Sequence, residues 1–291
     1  MSDTVTSSLR HREIDANGTT FHLTEAGSGE PVLLLAAFPL HAHTWRAIIP
    51  LLAEGYHVIA FDPRGTGRSA APVSGYDTST LVSDLLAVLD ALGLPRVRLI
   101  AHGFGAGVGF RLCADHPERV SAFVALNMTP PWPGSASLPR NAWRFWHTAL
   151  WEYPLLGPLV LRRLPGVTRY LLRHWSTTPW TDADLAAFVD VTREPAHARA
   201  GQQHYWQFVL HDIPRLRRLR RDPGPRFTVP TLLLGGASDP VVPPHLLRGL
   251  EYHADSLTVR ILPGGHLLPE DAPEEIAAAA RALFAAGVGQ S

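Results

Sequence analysis

The sequence predicts an α/β protein: a doubly wound, mostly parallel sheet of eight strands with helices on both faces. Three observations carry this. Short continuous apolar runs, the mark of strands covered on both faces, alternate with segments of helical period. The alternation stops between about 129 and 226, where helical runs follow one another without a strand pattern, and it resumes beyond 227. The chain also opens on an antiparallel pair, so the parallel part starts later.

Element by element, residues 10–25 read as two alternating runs joined through Asn17-Gly18, the strongest short hairpin signal. PVLLLAA (31–37) is a strand covered on both faces, followed by a helix at about 43–54 and the strand YHVIAF (56–61). A helix from about Ser79 to Leu92 leads into the strand VRLIA, a second from Gly105 to His116 into VSAFVAL (120–126). After the interruption come VPTLLLGG (229–236), a helix around 244–252, the strand SLTVRIL (256–262) and a terminal helix, APEEIAAAARALFAA. The chain therefore divides into a first core part (1–128), a helical insert (129–226) and a second core part (227–291). Such an insert reads as a cap over the carboxyl ends of the strands, where ligands of open α/β sheets bind.

Composition narrows the function classes. With 291 residues and 46% hydrophobic content the chain can bury one large core. Its 26 basic residues, all arginine, balance 26 acidic ones, so nucleic acid or a membrane is not an expected partner. The single Cys113, on the apolar helix F-R-L-C-A, reads as core and leaves no thiolate metal site. MSDTVTSSLRHRE holds no apolar signal segment, and no run approaches the ~20 apolar residues of a membrane span, so a cytoplasmic location is expected. P-R-L-R-R-L-R-R (214–221) reads as a solvated helix face. No phosphate-cradling glycine loop follows the first strand, and no cofactor or metal is expected.

The chemistry gathers at strand ends. R-L-I-A-H-G-F-G-A-G (98–107) has the outline of a nucleophile elbow, G-x-S-x-G, in which a strained strand-to-helix turn projects a reactive oxygen. Its middle residue is Gly103, which has no side chain to react with. A-S-D-P-V-V-P-P puts Asp239 just past one covered strand, and P-G-G-H-L-L-P-E puts His266 just past the next. A histidine beside an ionised aspartate is held in one tautomer with its other nitrogen free, which makes a general base. Asp62, in F-D-P-R-G-T-G-R-S, reads as structural.

From about Glu13 to Ala285 the chain resembles the α/β-hydrolase fold, and within it the branch of epoxide hydrolases and haloalkane dehalogenases. The resemblance is carried by A-F-P-L-H-A-H-T-W (37–45), F-D-P-R-G-T-G-R-S (61–69), A-H-G-F-G-A (101–106), D-H-P-E-R-V (115–120), G-A-S-D-P-V-V-P (236–243) and G-G-H-L-L-P-E (264–270). It implies an acid at Asp239, a base at His266, and an oxyanion hole from the backbone N–H groups of Phe38 and Phe104. It also implies a cap tyrosine that donates to a leaving oxygen, at Tyr205 in H-Y-W-Q-F, where an aromatic anchor is the alternative. The chain departs from the pattern at Ala36-Ala37, where the family commonly has H-G, at Ala101, and at Gly103, where it has Ser or Asp.

An empty apex excludes covalent catalysis through residue 103, because removing a covalent nucleophile costs roughly a millionfold. Four readings stay open. The first is an enzyme without covalent intermediates, in which His266 drives elimination, decarboxylation, isomerisation or cyclisation, chemistry that the resemblance connects to natural-product biosynthesis. The others are an engineered knockout of a Ser or Asp hydrolase, a hydrolase whose histidine activates water directly, and a non-catalytic binding protein. Seven of the eight tryptophans lie in the insert. They predict an aromatic chamber for a bulky hydrophobic small molecule, with Trp143, Trp206, Trp45 and His102 as substrate-binding residues.

Overall fold

The computed structural model of the chain describes residues 9–132, 138–219, 221–222 and 224–286. The first eight residues of the opening segment, and Arg220 of the arginine-rich run, lie outside them. Strands β1 (Arg10–Ala16) and β2 (Thr19–Ala26) pair antiparallel with Ala16 opposite Thr19. Asn17 and Gly18 both take positive φ, 44° and 73°, as a two-residue hairpin turn of matching twist requires. The remaining strands are β3 (Glu30–Leu35), β4 (Tyr56–Phe61), β5 (Val97–His102), β6 (Val120–Leu126), β7 (Thr231–Gly236) and β8 (Leu257–Leu262). They form one eight-stranded sheet in the order β1-β2-β4-β3-β5-β6-β7-β8, parallel from β4 to β8. Every residue of β5 and β7 is buried, which explains their unbroken apolar runs.

The strand order positions the site. The chain passes from β3 outward to β4, then returns across β3 to β5, so the carboxyl ends of β3 and β5 flank a topological switch point. Helices Thr78–Ala91, Phe104–Asp115 and Pro273–Ala286 cover the sheet. Asp77 caps the first by accepting the Thr80 N–H at 3.0 Å.

Two expected helices come out shorter. In place of one helix over 43–54 there is a 3₁₀ turn, Ala42–Trp45, and then a helix, Ile48–Ala53. The buried Asp62 carboxylate accepts the Ala42 N–H at 2.6 Å and fixes where that turn starts. Around 244–252 there are two 3₁₀ turns, Pro244–Leu247 and Glu251–His253, separated by Gly249 at φ 65°. Asp62 also accepts from the His22 ring at 2.8 Å and from the Arg68 N–H at 3.1 Å, the structural part expected of it.

Among the described residues no strand of the sheet lies between Leu126 and Thr231. The segment is helical, its longest helices being Leu156–Arg163, Pro165–Trp175, Asp182–Arg193 and Pro195–Gln207. Proline begins two of them, where its missing N–H costs nothing. A single π turn, Phe208–Asp212, ends the last.

Candidate active site

The turn after β5 has the geometry its sequence suggests. Gly103 sits at φ 53°, ψ −128°, and the helix starts at Phe104. The Gly103 N–H donates to the Leu126 carbonyl at 2.9 Å, and its own carbonyl accepts from Ala106 at 2.9 Å and Gly107 at 3.2 Å. Gly105 is required here, because a Cβ on it would lie 2.6 Å from the Ala36 carbonyl oxygen. The helix therefore rests directly on the chain leaving β3. A Cβ at Gly103 would lie 3.2 Å from the Ala37 methyl. The Phe104 N–H, in the helix's first turn, has no intrahelical acceptor, and Phe38 stands on the opposing loop, joined to Pro39 by a cis peptide.

Asp239 and His266 meet as expected. The His266 Nδ1–H donates to Asp239 Oδ2 at 2.9 Å, which leaves Nε2 as the free nitrogen. Asp239 is buried, and its other contacts are donors: the N–H groups of Val241 (2.7 Å) and Val242 (2.8 Å) on Oδ1, and the Asn127 side-chain amide (2.8 Å) on Oδ2. Burial by itself would raise this carboxyl's pKa; His266 and the surrounding donors outweigh it and hold it below the ordinary carboxylate value. Asn127, at φ 52° just past β6, also donates to the Gly265 carbonyl at 3.1 Å, tying the histidine loop to the acid's support.

The helical segment packs against this pair. The His266 N–H donates to the Trp175 carbonyl at 2.7 Å, at the carboxyl end of helix Pro165–Trp175, and the Trp175 ring lies 5.7 Å from the imidazole. Asp271 fastens the same region, taking the Gly265 N–H at 2.7 Å, the Ser176 hydroxyl at 2.5 Å and the Thr178 N–H at 3.0 Å. Tyr205, on helix Pro195–Gln207, donates its hydroxyl to the Phe38 carbonyl at 3.3 Å. Burial raises its pKa, so the phenol keeps its proton. An aromatic wall of Phe38, Tyr205, Trp151, Trp175 and His147 joins this tyrosine to His266, with ring centroids 4.7–6.2 Å apart. Burial lowers the His147 pKa to about 4, with the nearby His266 charge pushing the same way.

Other expected site residues stand elsewhere. His102 is buried behind the histidine loop, donating Nε2–H to the His266 carbonyl at 2.7 Å; burial lowers its pKa to about 3. Its ring is buried and so closed to a ligand, where substrate contact was expected of it. Trp45 is fully buried in the core, so its ring is closed to a substrate. Trp143 is 64% exposed with the Arg144 guanidinium 4.6 Å over its ring, and Trp206 packs on the half-exposed Tyr153. The buried tryptophans of the insert are Trp132, which packs on Phe110 and Phe227, and Trp151 and Trp175, which belong to the aromatic wall. Asn127 and His147 are absent from the sequence-based expectations, and Trp175 enters them only as one of the insert's seven tryptophans. The strand-end rule that found Asp239 also covers Asn127, but no pattern marks which aromatic residues of a helical cap turn inward.

A cavity of about 20 Å³ lies behind the Phe38 loop, lined by Ala36, Ala37, Phe38, Phe104, Gly105 and His204 among others. That is room for about one water molecule. Its lining includes neither Gly103 nor His266. Among the described residues no three His, Cys, Asp or Glu side chains gather so as to hold a metal ion, and no helix is long and apolar enough to cross a membrane.

Comparison with known proteins supports the fold. The family model described as "alpha/beta hydrolase fold" matches residues 30–273. The soluble epoxide hydrolase of Corynebacterium sp. (strain C12) is 28% identical, over 97% of this chain and 99% of its own. Epoxide hydrolase A of Mycobacterium tuberculosis (strain ATCC 25618 / H37Rv) is 29% identical over 92% and 95%. The crystal structure of wild-type Cfl2 from Burkholderia cenocepacia superposes with a TM-score of 0.84 at 30% identity, covering 97% and 98% of the two chains. Sheet order, elbow, acid and histidine thus stand together in a chain that belongs to the α/β-hydrolase-fold family, with epoxide hydrolases among its relatives.

Proposed function

We propose that this chain is an enzyme that uses the His266–Asp239 pair as a general base and forms no covalent bond to its substrate, a hydrophobic small molecule carrying an epoxide or similar oxygen electrophile. The observation that carries this reading is Gly103 at the apex of an elbow that keeps its strand-to-helix turn. In the resemblance the apex is the nucleophile's place, and glycine offers no oxygen there. The free Nε2 of His266 then takes its proton from a water molecule. The water oxygen attacks an epoxide carbon, the carbon–oxygen bond breaks, and the opening oxygen takes a proton from Tyr205. The proton on His266 returns through solvent to the phenolate, so epoxide and water give a diol. The Phe104 and Phe38 N–H groups would serve as polar partners that hold the attacking water near the apex. The relatives' names supply the substrate class and the buried aromatic wall its hydrophobic character.

A second reading uses the same base on a proton of the substrate itself, giving elimination, decarboxylation, isomerisation or cyclisation. It is favoured by the Ala37 methyl beside the apex, which suits a substrate carbon better than a water needing polar partners.

One experiment separates these readings: the unmodified chain, His266→Ala, Gly103→Asp and Gly103→Ser are assayed on a panel of hydrophobic epoxides in ¹⁸O-labelled water. The proposal expects turnover by the unmodified chain, one labelled oxygen per product, and a loss of roughly 10²–10⁴-fold in His266→Ala. Products without label favour the second reading. Activity confined to Gly103→Asp or Gly103→Ser overturns both and identifies the chain as a disabled covalent hydrolase.

A further inference from the structure

The balanced total charge conceals a polar distribution. Between 129 and 226 there are 14 arginines against seven acidic residues, while the rest of the chain has 12 against 19. The cap is basic and the core acidic.

The cap also turns apolar side chains outward. Helix Leu156–Arg163 buries Gly157, Val160 and Leu161, at i, i+3 and i+4, against the rest of the cap; a Cβ on Gly157 would strike the Trp151 carbonyl. Its opposite stripe is Leu156, Leu159 and Arg163, at i, i+3 and i+7, all exposed. An amphipathic helix facing only water would place polar residues there. Immediately before it, the turn Tyr153-Pro154-Leu155-Leu156 is exposed throughout, and Leu155 is held at φ 69° with 88% of its surface open. Hydrogen bonds from the Gly157 N–H to Tyr153 and from the Leu159 N–H to Leu155 hold the turn in that shape. A β-carbon-bearing residue rarely takes this backbone, and here it raises a leucine away from the protein.

The charge lies beside this turn. Arg162 and Arg163 end the helix, and neither has a hydrogen-bond or ion-pair partner among the described residues. With Arg193 they line a cleft of about 440 Å³, whose acidic members are Asp190, 3.6 Å from Arg193, and Glu194. Projecting leucines and a tyrosine, flanked by unpaired arginines on a net basic cap, match the surface of an anionic bilayer. Apolar side chains enter the interface, the tyrosine sits at headgroup depth, and arginines meet the phosphates.

We propose that the cap docks on anionic lipid bilayers through the Tyr153–Leu156 turn and Leu159, with Arg162, Arg163 and Arg193 at the headgroups. The proposal is independent of the reaction catalysed.

The test is co-sedimentation of the full chain with vesicles of phosphatidylcholine, with and without phosphatidylglycerol. Binding is expected to vesicles that contain phosphatidylglycerol, and to fall with salt. Leu155→Asp with Leu159→Asp, and separately Arg162→Glu with Arg163→Glu, each weaken it by roughly tenfold or more. Leu155→Gly deletes the projecting side chain while relaxing its backbone, and keeps the test informative if an acidic variant folds poorly. Equal binding to pure phosphatidylcholine, no binding, or binding untouched by these substitutions overturns the proposal. So does concentration-dependent dimerisation that the leucine substitutions abolish, which would assign the surface to a second copy of the chain.

Discussion

Asp239 can stay ionised in a buried place because both carboxylate oxygens are saturated with donors: two backbone amides on one, the Asn127 amide and His266 on the other. Its partner is thereby fixed in a single tautomer. Asp239→Asn would leave the packing nearly unchanged but present an acceptor–donor amide to an imidazole that needs an acceptor. In the proposed mechanism turnover falls by as much as about 10⁴-fold, the loss known for this exchange in the serine-protease triad. Asn127→Ala has a different signature. It removes one donor from the carboxylate and one from the Gly265 carbonyl, so stability falls by about 1–3 kcal/mol, read by denaturant unfolding. The Asp239 pKa rises towards its ordinary value, and turnover falls beyond what the loss of stability explains. A merely structural asparagine would lower stability alone.

At the scale of elements, the site depends on how closely the elbow helix approaches the end of β3. Gly105→Ala puts a methyl against the Ala36 carbonyl, and backbone cannot swing aside as a side chain can. The expected cost is about 1–3 kcal/mol, seen as a lower melting temperature, with the Phe38 loop displaced and activity lost beyond what the melt explains. The cap is fastened at its opposite side by Asp271, so Asp271→Ala frees the Ser176–Thr178 segment and the Gly265 amide together. Its expected result is earlier proteolytic cutting near Thr177, with the sheet core still protected. How much of this was legible follows from the same contacts. Strand identities, the hairpin and the order of apex, acid and histidine were readable because each is a local pattern, a run of covered residues ending in a turn residue or a charged one. The 43–54 and 244–252 helices were misjudged in length because their limits are set by contacts and breakers off the helical pattern, the Asp62 carboxylate on Ala42 and the Gly249 turn. Trp151 and Trp143 read alike, yet one is fully buried and the other faces water. Inside a helical insert that choice belongs to tertiary packing, which no local period records.

At the scale of the whole molecule, stability is tied to pH through histidines that fold in the neutral form. His102, His147 and His204 are buried, and burial is the largest cause that lowers their pKa values, to about 3, 4 and 4, from 6.5. In the unfolded chain all three charge as pH falls below about 6.5. In the folded chain they stay neutral until about pH 4 or lower, so between those limits the unfolded state binds more protons and folding weakens as pH drops. The contribution is fully present above the unfolded value and is lost on the acid side, the opposite of a histidine stabilised by a carboxylate. A shift of this size corresponds to on the order of 3 kcal/mol for one such group. Asp239 acts in a separate window, since its depressed pKa withdraws stability only below the ordinary carboxylate value of 3.8. Melting temperatures should therefore fall between pH 6.5 and pH 4, the range in which these imidazoles charge only in the unfolded chain. His147→Phe, which keeps a ring against Trp151 and Trp175, should flatten that slope by about one proton's share. A melting temperature flat across this interval, or a slope unchanged in His147→Phe, would mean that these imidazoles take up protons without unfolding the chain.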